Sequence, residues 1–199
     1  MSVKRKNLLR RVVVKAGLMT GFGRLPAMAG LTGIATAAEP ESGSGDMNMD
    51  TLIAALHSIG GPVCLDAANR LEAESTNDGG FNLHLRNAGI DLQDARILAN
   101  AMEKIDLATR YLMSFSASYN PDLKDAGAIV LSGAFPKSMT KLGLVGCSIG
   151  DAGGNALLEW AQLAPDLRMI CVEGNDFSSG LKSDFRELGQ RHGSLMVVV

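Results

Sequence analysis

Two hydrophobic periods alternate along this chain. A period-two pair opens each of four stretches: Leu83 and Leu85, Phe115 and Ala117, Leu142 and Leu144, Ile170 and Val172. Alternation at period two puts such residues on one face of a short strand and the residues between them on the other. Each pair is followed by a turn and then by apolar residues at helical spacing, which predicts helices over about 91–104, 125–135, 151–163 and 180–191. Their inward faces are expected to carry Ile97, Leu98, Ala101 and Met102, then Ile129, Leu131 and Phe135, then Leu157, Leu158 and Ala161, then Leu181, Phe185 and Leu188. Leu195–Val199 reads as a closing strand. The second strand positions, Leu85, Ala117, Leu144, Val172 and Val199, are separated by 32, 27, 28 and 27 residues. A near-constant interval of this size marks stacked strand–turn–helix units, a solenoid. The longer first interval contains an extra loop at Ile105–Tyr111.

The repeated phrase is clearest as Met139-x-x-Leu142-x-Leu144-x-x-Cys147-x-Ile149-x-Asp151-x-Gly153. It recurs as Leu167-x-x-Ile170-x-Val172-x-x-Asn175-x-Phe177. An earlier copy is Leu112-x-x-Phe115-x-Ala117-x-x-Asn120, continued by Leu123-x-Asp125-x-Gly127; the first is Leu83-x-Leu85-x-x-Ala88-x-Ile90. The turn residues Asn120, Cys147 and Asn175 have a structural explanation. The loop after each strand is buried between neighbouring units, and its backbone polar groups need partners. An Asn side chain donates and accepts at once, and Cys fills the same space with a weak S–H donor. Ala88 leaves the first turn without such a bond. Asp125 and Asp151 sit where an N-cap belongs and are expected to accept from the first amides of their own helices. Ser179 stands in the corresponding position of the last unit.

Ahead of the repeats, Leu52, Ile53, Leu56 and Ile59 recur at helical spacing from Met49, and Gly60-Gly61-Pro62 interrupts the run. A second predicted helix covers about Val63–Ala73, with Leu65, Ala68 and Leu71 on one face, and Ser75–Gly80 reads as loop. Residues 51–80 are therefore expected to form a helical cap over the first unit of an array spanning 81–199, because end units must cover an apolar edge. Residues 39–50, rich in Pro, Gly, Ser and acids, read as a flexible linker.

Charge divides the chain further. Residues 1–38 hold seven basic residues (Lys4, Arg5, Lys6, Arg10, Arg11, Lys15 and Arg24) and no acid. The remaining 39–199 hold 12 basic and 21 acidic residues, a charge of −9. Such a body excludes non-specific nucleic-acid binding, which needs clustered Lys and Arg. The basic segment reads as an address. Arg10-Arg11-Val12-Val13-Val14-Lys15, followed by a Gly-rich apolar stretch and Ala35-Thr36-Ala37, is similar to a bacterial twin-arginine export signal leading to the periplasm. The same acid-free stretch also fits a mitochondrial or plastid transit peptide, the reading preferred here because Arg24 interrupts the apolar stretch that export requires. Lys15 and Arg24 leave no apolar run of about 20 residues, so no membrane span is expected.

The strand, turn and helix residues together resemble leucine-rich repeats of the ribonuclease-inhibitor-like subtype, over about residues 81–199. That resemblance implies an α/β solenoid with short parallel strands on the concave side and helices on the convex side. It also implies a protein partner.

Enzyme chemistry has one candidate. Gly146-Cys147-Ser148-Ile149-Gly150 matches G-x-S-x-G, the nucleophile elbow of α/β-hydrolases. Cys147 and Ile149 already have repeat positions, however, and only His192 follows as a base. His57, His84 and His192 share no metal-ligand spacing, and the glycines of 143–154 lack the Lys-Ser/Thr of a phosphate loop. Three cysteines form no paired framework. Trp160 is expected to pack in the core. No cofactor, metal or catalytic residue is therefore expected. The outward strand positions remain as a binding face: Asn82, His84 and Arg86; Ser114, Ser116 and Ser118; Lys141, Gly143 and Val145; Met169, Cys171 and Glu173. Of these, with Tyr119 beside them, His84, Arg86, Ser116, Tyr119, Lys141, Met169 and Glu173 are the candidate contacts. The expected function is non-catalytic protein binding or scaffolding, as an accessory subunit of a larger assembly. The alternatives are a serine hydrolase using Ser148 and a ribonuclease-inhibitor-like inhibitor.

Overall fold

The computed structural model describes residues 47–74, 79–105 and 110–199. These belong to one unit, Ser42–Val199. The basic segment 1–38 and the linker as far as residue 46 lie outside the described residues. Among the described residues, eleven elements alternate after an initial helix pair: α1 (Met47–Ile59), α2 (Gly61–Ala73), β1 (Gly79–His84), α3 (Leu92–Met102), β2 (Arg110–Ser116), α4 (Lys124–Ala134), β3 (Lys141–Gly143), α5 (Asp151–Gln162), β4 (Met169–Cys171), α6 (Ser179–Arg191) and β5 (Met196–Val198).

The strands form one parallel sheet in the order β1-β2-β3-β4-β5. Its register follows the sequence period: Leu83 pairs with Phe115, Phe115 with Leu142, Leu142 with Ile170, and Ile170 with Val197. The parallel hydrogen bonds continue past the strand ends, as in Leu85 N–H to Ser116 O and Leu144 N–H to Cys171 O. Phe81, Leu83, Leu85, Phe115, Ala117, Leu142, Leu144, Ile170 and Val172 are all buried. They meet the buried stripes of the helices, which pack in order, α3 on α4, α4 on α5, α5 on α6. Phe115, Phe135 and Trp160 form a run of ring contacts through this core, with centroids 4.9 and 5.4 Å apart. Trp160 is a core residue, and its indole N–H donates to the Phe135 carbonyl at 3.1 Å.

Several expectations need correction. Met47–Asp50, expected as linker, form the first turn of α1. Only Gly60 separates the first two helices; Gly61 and Pro62 open α2, where a proline without an N–H costs nothing. β1 begins at Gly79, inside the stretch expected as loop, and β2 begins at Arg110, inside the extra loop. Part of the long first interval is a β-bulge: Phe81 faces Leu112 but Asn82 faces Ser114, leaving Met113 unopposed. Leu65 and Ile129, expected inside, are exposed at 41% and 46%. The inward stripe of α2 is Cys64, Ala67, Ala68 and Leu71, and that of α4 is Gly127, Ala128, Leu131 and Ser132. Small residues take the inward positions because the helices approach one another closely.

The turns share one backbone device. The residue just before each turn residue is left-handed: Asn87 (φ 52°), Tyr119 (62°), Gly146 (61°) and Gly174 (69°). After it, Asn120 Oδ1 accepts from Ile90 N–H at 3.0 Å, while its Nδ2 donates to Leu85 O (2.9 Å) and Ala117 O (2.7 Å). Asn175 repeats this two units on. Its Oδ1 accepts from Cys147 and Ile149 N–H (2.9 and 3.2 Å), and its Nδ2 donates to Leu144 and Val172 O (2.7 and 2.8 Å). Between them the Cys147 thiol donates to Ala117 O at 3.2 Å. Each side chain ties its own turn to the preceding one, and Asn120 serves the first turn, where Ala88 has no polar side chain.

Candidate functional site

The free face of the sheet is built from the strand residues that alternate with the core. Register places them in rows across the strands. One row is Asn82, Ser114, Lys141, Met169 and Met196; the next is His84, Ser116, Gly143, Cys171 and Val198. The hydrogen bonds beyond the strand ends add a third, Arg86, Ser118, Val145 and Glu173. Six of the seven candidate contacts, His84, Arg86, Ser116, Lys141, Met169 and Glu173, therefore share one surface. Tyr119 borders it and stands 43% exposed in its left-handed turn. The Arg86 guanidinium lies 4.1 Å from the Tyr119 ring centroid, a cation–π contact.

A depression of about 450 Å³ occupies the middle of this face, lined by residues of all three rows from β1 to β4. Its floor is low because the central residues are small. Ser114 and Ser118 are only 5% exposed there, so they support the floor more than they present themselves. Ser118 Oγ accepts from Val145 N–H at 3.1 Å. Ser114 donates its hydroxyl proton to Asn82 Oδ1 at 2.6 Å, and its oxygen then accepts from His84 Nε2–H at 3.0 Å. This short chain was not visible in the sequence, because Asn82 and Ser114 meet only through the bulge at Met113. It also orients the serine away from catalysis: the Ser114 proton is committed to an amide oxygen, and His84 is a donor to the serine.

The elbow motif lies outside this face. Ser148 is exposed, with φ 51°. Gly89 takes the same place in the first unit with φ 76°, so two of the four turns share this angle, whereas Pro121 and Asp176 at the same place do not have it. Among the described residues no histidine or carboxylate hydrogen-bonds to Ser148; His57 pairs instead with Glu72 at 3.1 Å. Burial pushes the Cys64, Cys147 and Cys171 thiols above their usual pKa, keeping them protonated and poor nucleophiles. No group of His, Cys, Asp and Glu among the described residues is placed to hold a metal ion, and no described helix is long and apolar enough to cross a membrane.

The two turn aspartates also need correction. Asp125 and Asp151 do not cap their own helices. Asp125 Oδ1 accepts from Gly153 N–H at 2.7 Å, at the start of α5, and Asp151 Oδ1 accepts from Ser178 N–H at 2.7 Å, just before α6. Each carboxylate serves the amides of the next unit, where the positive end of the helix dipole favours it. Hydrogen bonds from the Ser178 amide and hydroxyl hold the Asp151 carboxyl below the usual carboxylate range. Self-capping occurs on α3, where Asp91 Oδ1 accepts from Gln93 and Asp94 N–H, and on α6, where Ser178 Oγ accepts from Leu181 N–H at 3.3 Å.

Comparison with protein-family models and with curated proteins gives no match. Among solved structures, the chain is similar to the tropomodulin C-terminal domain of Caenorhabditis elegans, with 16% identity and a TM-score of 0.49, over 72% of this chain and 80% of that one.

Proposed function

We propose that the chain is a short leucine-rich-repeat solenoid of the ribonuclease-inhibitor-like subtype, capped by α1 and α2, that binds another protein through the free face of its sheet without catalysing a reaction. One observation carries this reading: three continuous rows of side chains, in register across the strands, around a depression. Stacked-unit proteins offer such faces as extended contact surfaces, and Arg86 and Tyr119 are of the types that dominate binding energy. In this reading the protein is an accessory subunit of a larger assembly, and residues 1–38 are a targeting segment for an organelle. The seven basic residues without an acid support that role.

The test is co-purification of the tagged full chain with its partner, comparing Ser116→Arg and Met169→Arg with Glu187→Arg on α6. The face variants are expected to lose the partner and the helix variant to keep it. A partner retained by both face variants would overturn the reading. Ester hydrolysis that is present and then lost in Ser148→Ala would overturn its non-catalytic part. N-terminal sequencing of the chain from cells is expected to find the basic segment removed.

A further inference from the structure

The free sheet face is polarised in a way the rest of the body is not. Residues 39–199 carry a charge of −9, yet among the three rows Glu173 is the single carboxylate. On the β1–β3 side of these rows the charged residues are Arg86, just past the end of β1, and Lys141 on β3, set among serines. On β4 and β5 the first two rows turn apolar, with Met169, Cys171, Met196 and Val198, while Glu173 ends the third row on the β4 side. Among the described residues, neither Arg86 nor Lys141 makes an ion pair. Both are exposed; Lys141 lines the trough floored by Ser116 and Gly143, and Arg86 stands in the third row just outside that lining. A Cβ added at Gly143 would sit 3.0 Å from Ser116 Oγ, so the serine hydroxyl would have to shift to admit one. The central row from His84 to Cys171 crosses three strand gaps of about 4.8 Å each, and extended chain advances about 3.3 Å per residue, so about four residues fit along it.

We infer that this face, taken as the docking face argued above, accepts an extended acidic peptide segment, its carboxylates over β1–β3 against Arg86 and Lys141 and an apolar side chain over Met169 and Cys171. Charge complementarity decides the orientation and the class. At physiological salt, charges more than about 8 Å apart are largely screened, so the ligand responds to the two local cations more than to the distant acidic surface. The net negative charge of the rest of the body disfavours an acidic ligand there. The raised pKa of Cys171, from burial and then from Glu173 nearby, keeps its thiol neutral and suited to an apolar contact.

The experiment uses the full 199-residue chain and three fluorescein-labelled peptides of equal length, each with one leucine after a run of glutamates, glutamines or lysines. Fluorescence anisotropy is expected to show the glutamate peptide binding roughly tenfold or more tightly than the glutamine peptide, with affinity falling as salt is added. Arg86→Gln combined with Lys141→Glu is expected to abolish that preference. Lys141→Gln alone, a single exposed change, is expected to weaken it in the same direction. Equal binding of the glutamate peptide by wild type and both variants would assign the attraction to the basic segment 1–38 and overturn the proposal. If the glutamine peptide binds as tightly and protects β2–β4 from hydrogen exchange, the docking face stands and the acidic class is overturned. Protection of the helices only, or no binding of any peptide, would overturn both.

Discussion

At the scale of single residues, the turn amides matter more than any charged group. Asn175 is 8% exposed and holds four backbone groups from two units. Removing its amide strands buried donors and acceptors, each costing about 1–3 kcal/mol. Asn175→Ala is therefore expected to lower the unfolding free energy by about 3 kcal/mol or more, read from the urea midpoint at constant m-value. Asn175→Asp is expected to be worse, since it keeps the acceptors, loses both donations and buries a charge. Asp151 behaves differently because it is exposed. Its carboxyl pKa is lowered in the fold by the Ser178 bonds, so its contribution is fully present above the unfolded carboxylate pKa and is lost as pH falls through the lowered value. Asp151→Asn is thus expected to be less stable than wild type near pH 7, with the gap closing in acid; a gap that widens in acid would contradict the assigned hydrogen bonds.

At the scale of elements, the close approach of successive helices is fixed by glycine. Gly153 in α5 has no space for a side chain: an added Cβ would lie 2.8 Å from Asp125 Oδ1 and 2.9 Å from Asp125 Cα in α4. The clash with backbone cannot relax by a rotamer change. Gly153→Ala is expected to destabilise by about 1–3 kcal/mol through overpacking and loss of the Asp125 bond, as a lower thermal midpoint without loss of helix content. The sequence already showed that α5 starts at Asp151, because its apolar stripe and its glycines are local signals. It did not show what Asp125 and Asp151 do. Their partners lie one unit away, and local capping rules consider only amides of the same helix. The same limit hid the exposure of Ile129, since which face of α4 is inward depends on how α3 and α5 seat against it.

For the described body as a whole, strand order and register were legible because one interval repeats: every later pairing reproduces it, from Phe115–Leu142 through Ile170–Val197. The rows of the free face follow from the same arithmetic, which is why six candidate contacts fell on one surface. The bulge at Met113 and the Asn82–Ser114–His84 chain were not legible, since an irregular residue breaks the count at the position where they form. A stack in which each unit touches its neighbours has a further consequence: its ends open before its middle. Phe185 is fully buried in α6 and stacks on Phe177 with centroids 5.7 Å apart. Phe185→Ala should cost about 3–5 kcal/mol where it acts, and that loss falls on the last unit. Native-state hydrogen exchange of this variant is expected to speed up in α6 and β5 while β1 and β2 keep their protection. A uniform loss across all five strands would mean that the sheet opens only as one cooperative body, and that the units do not contribute their stability neighbour by neighbour.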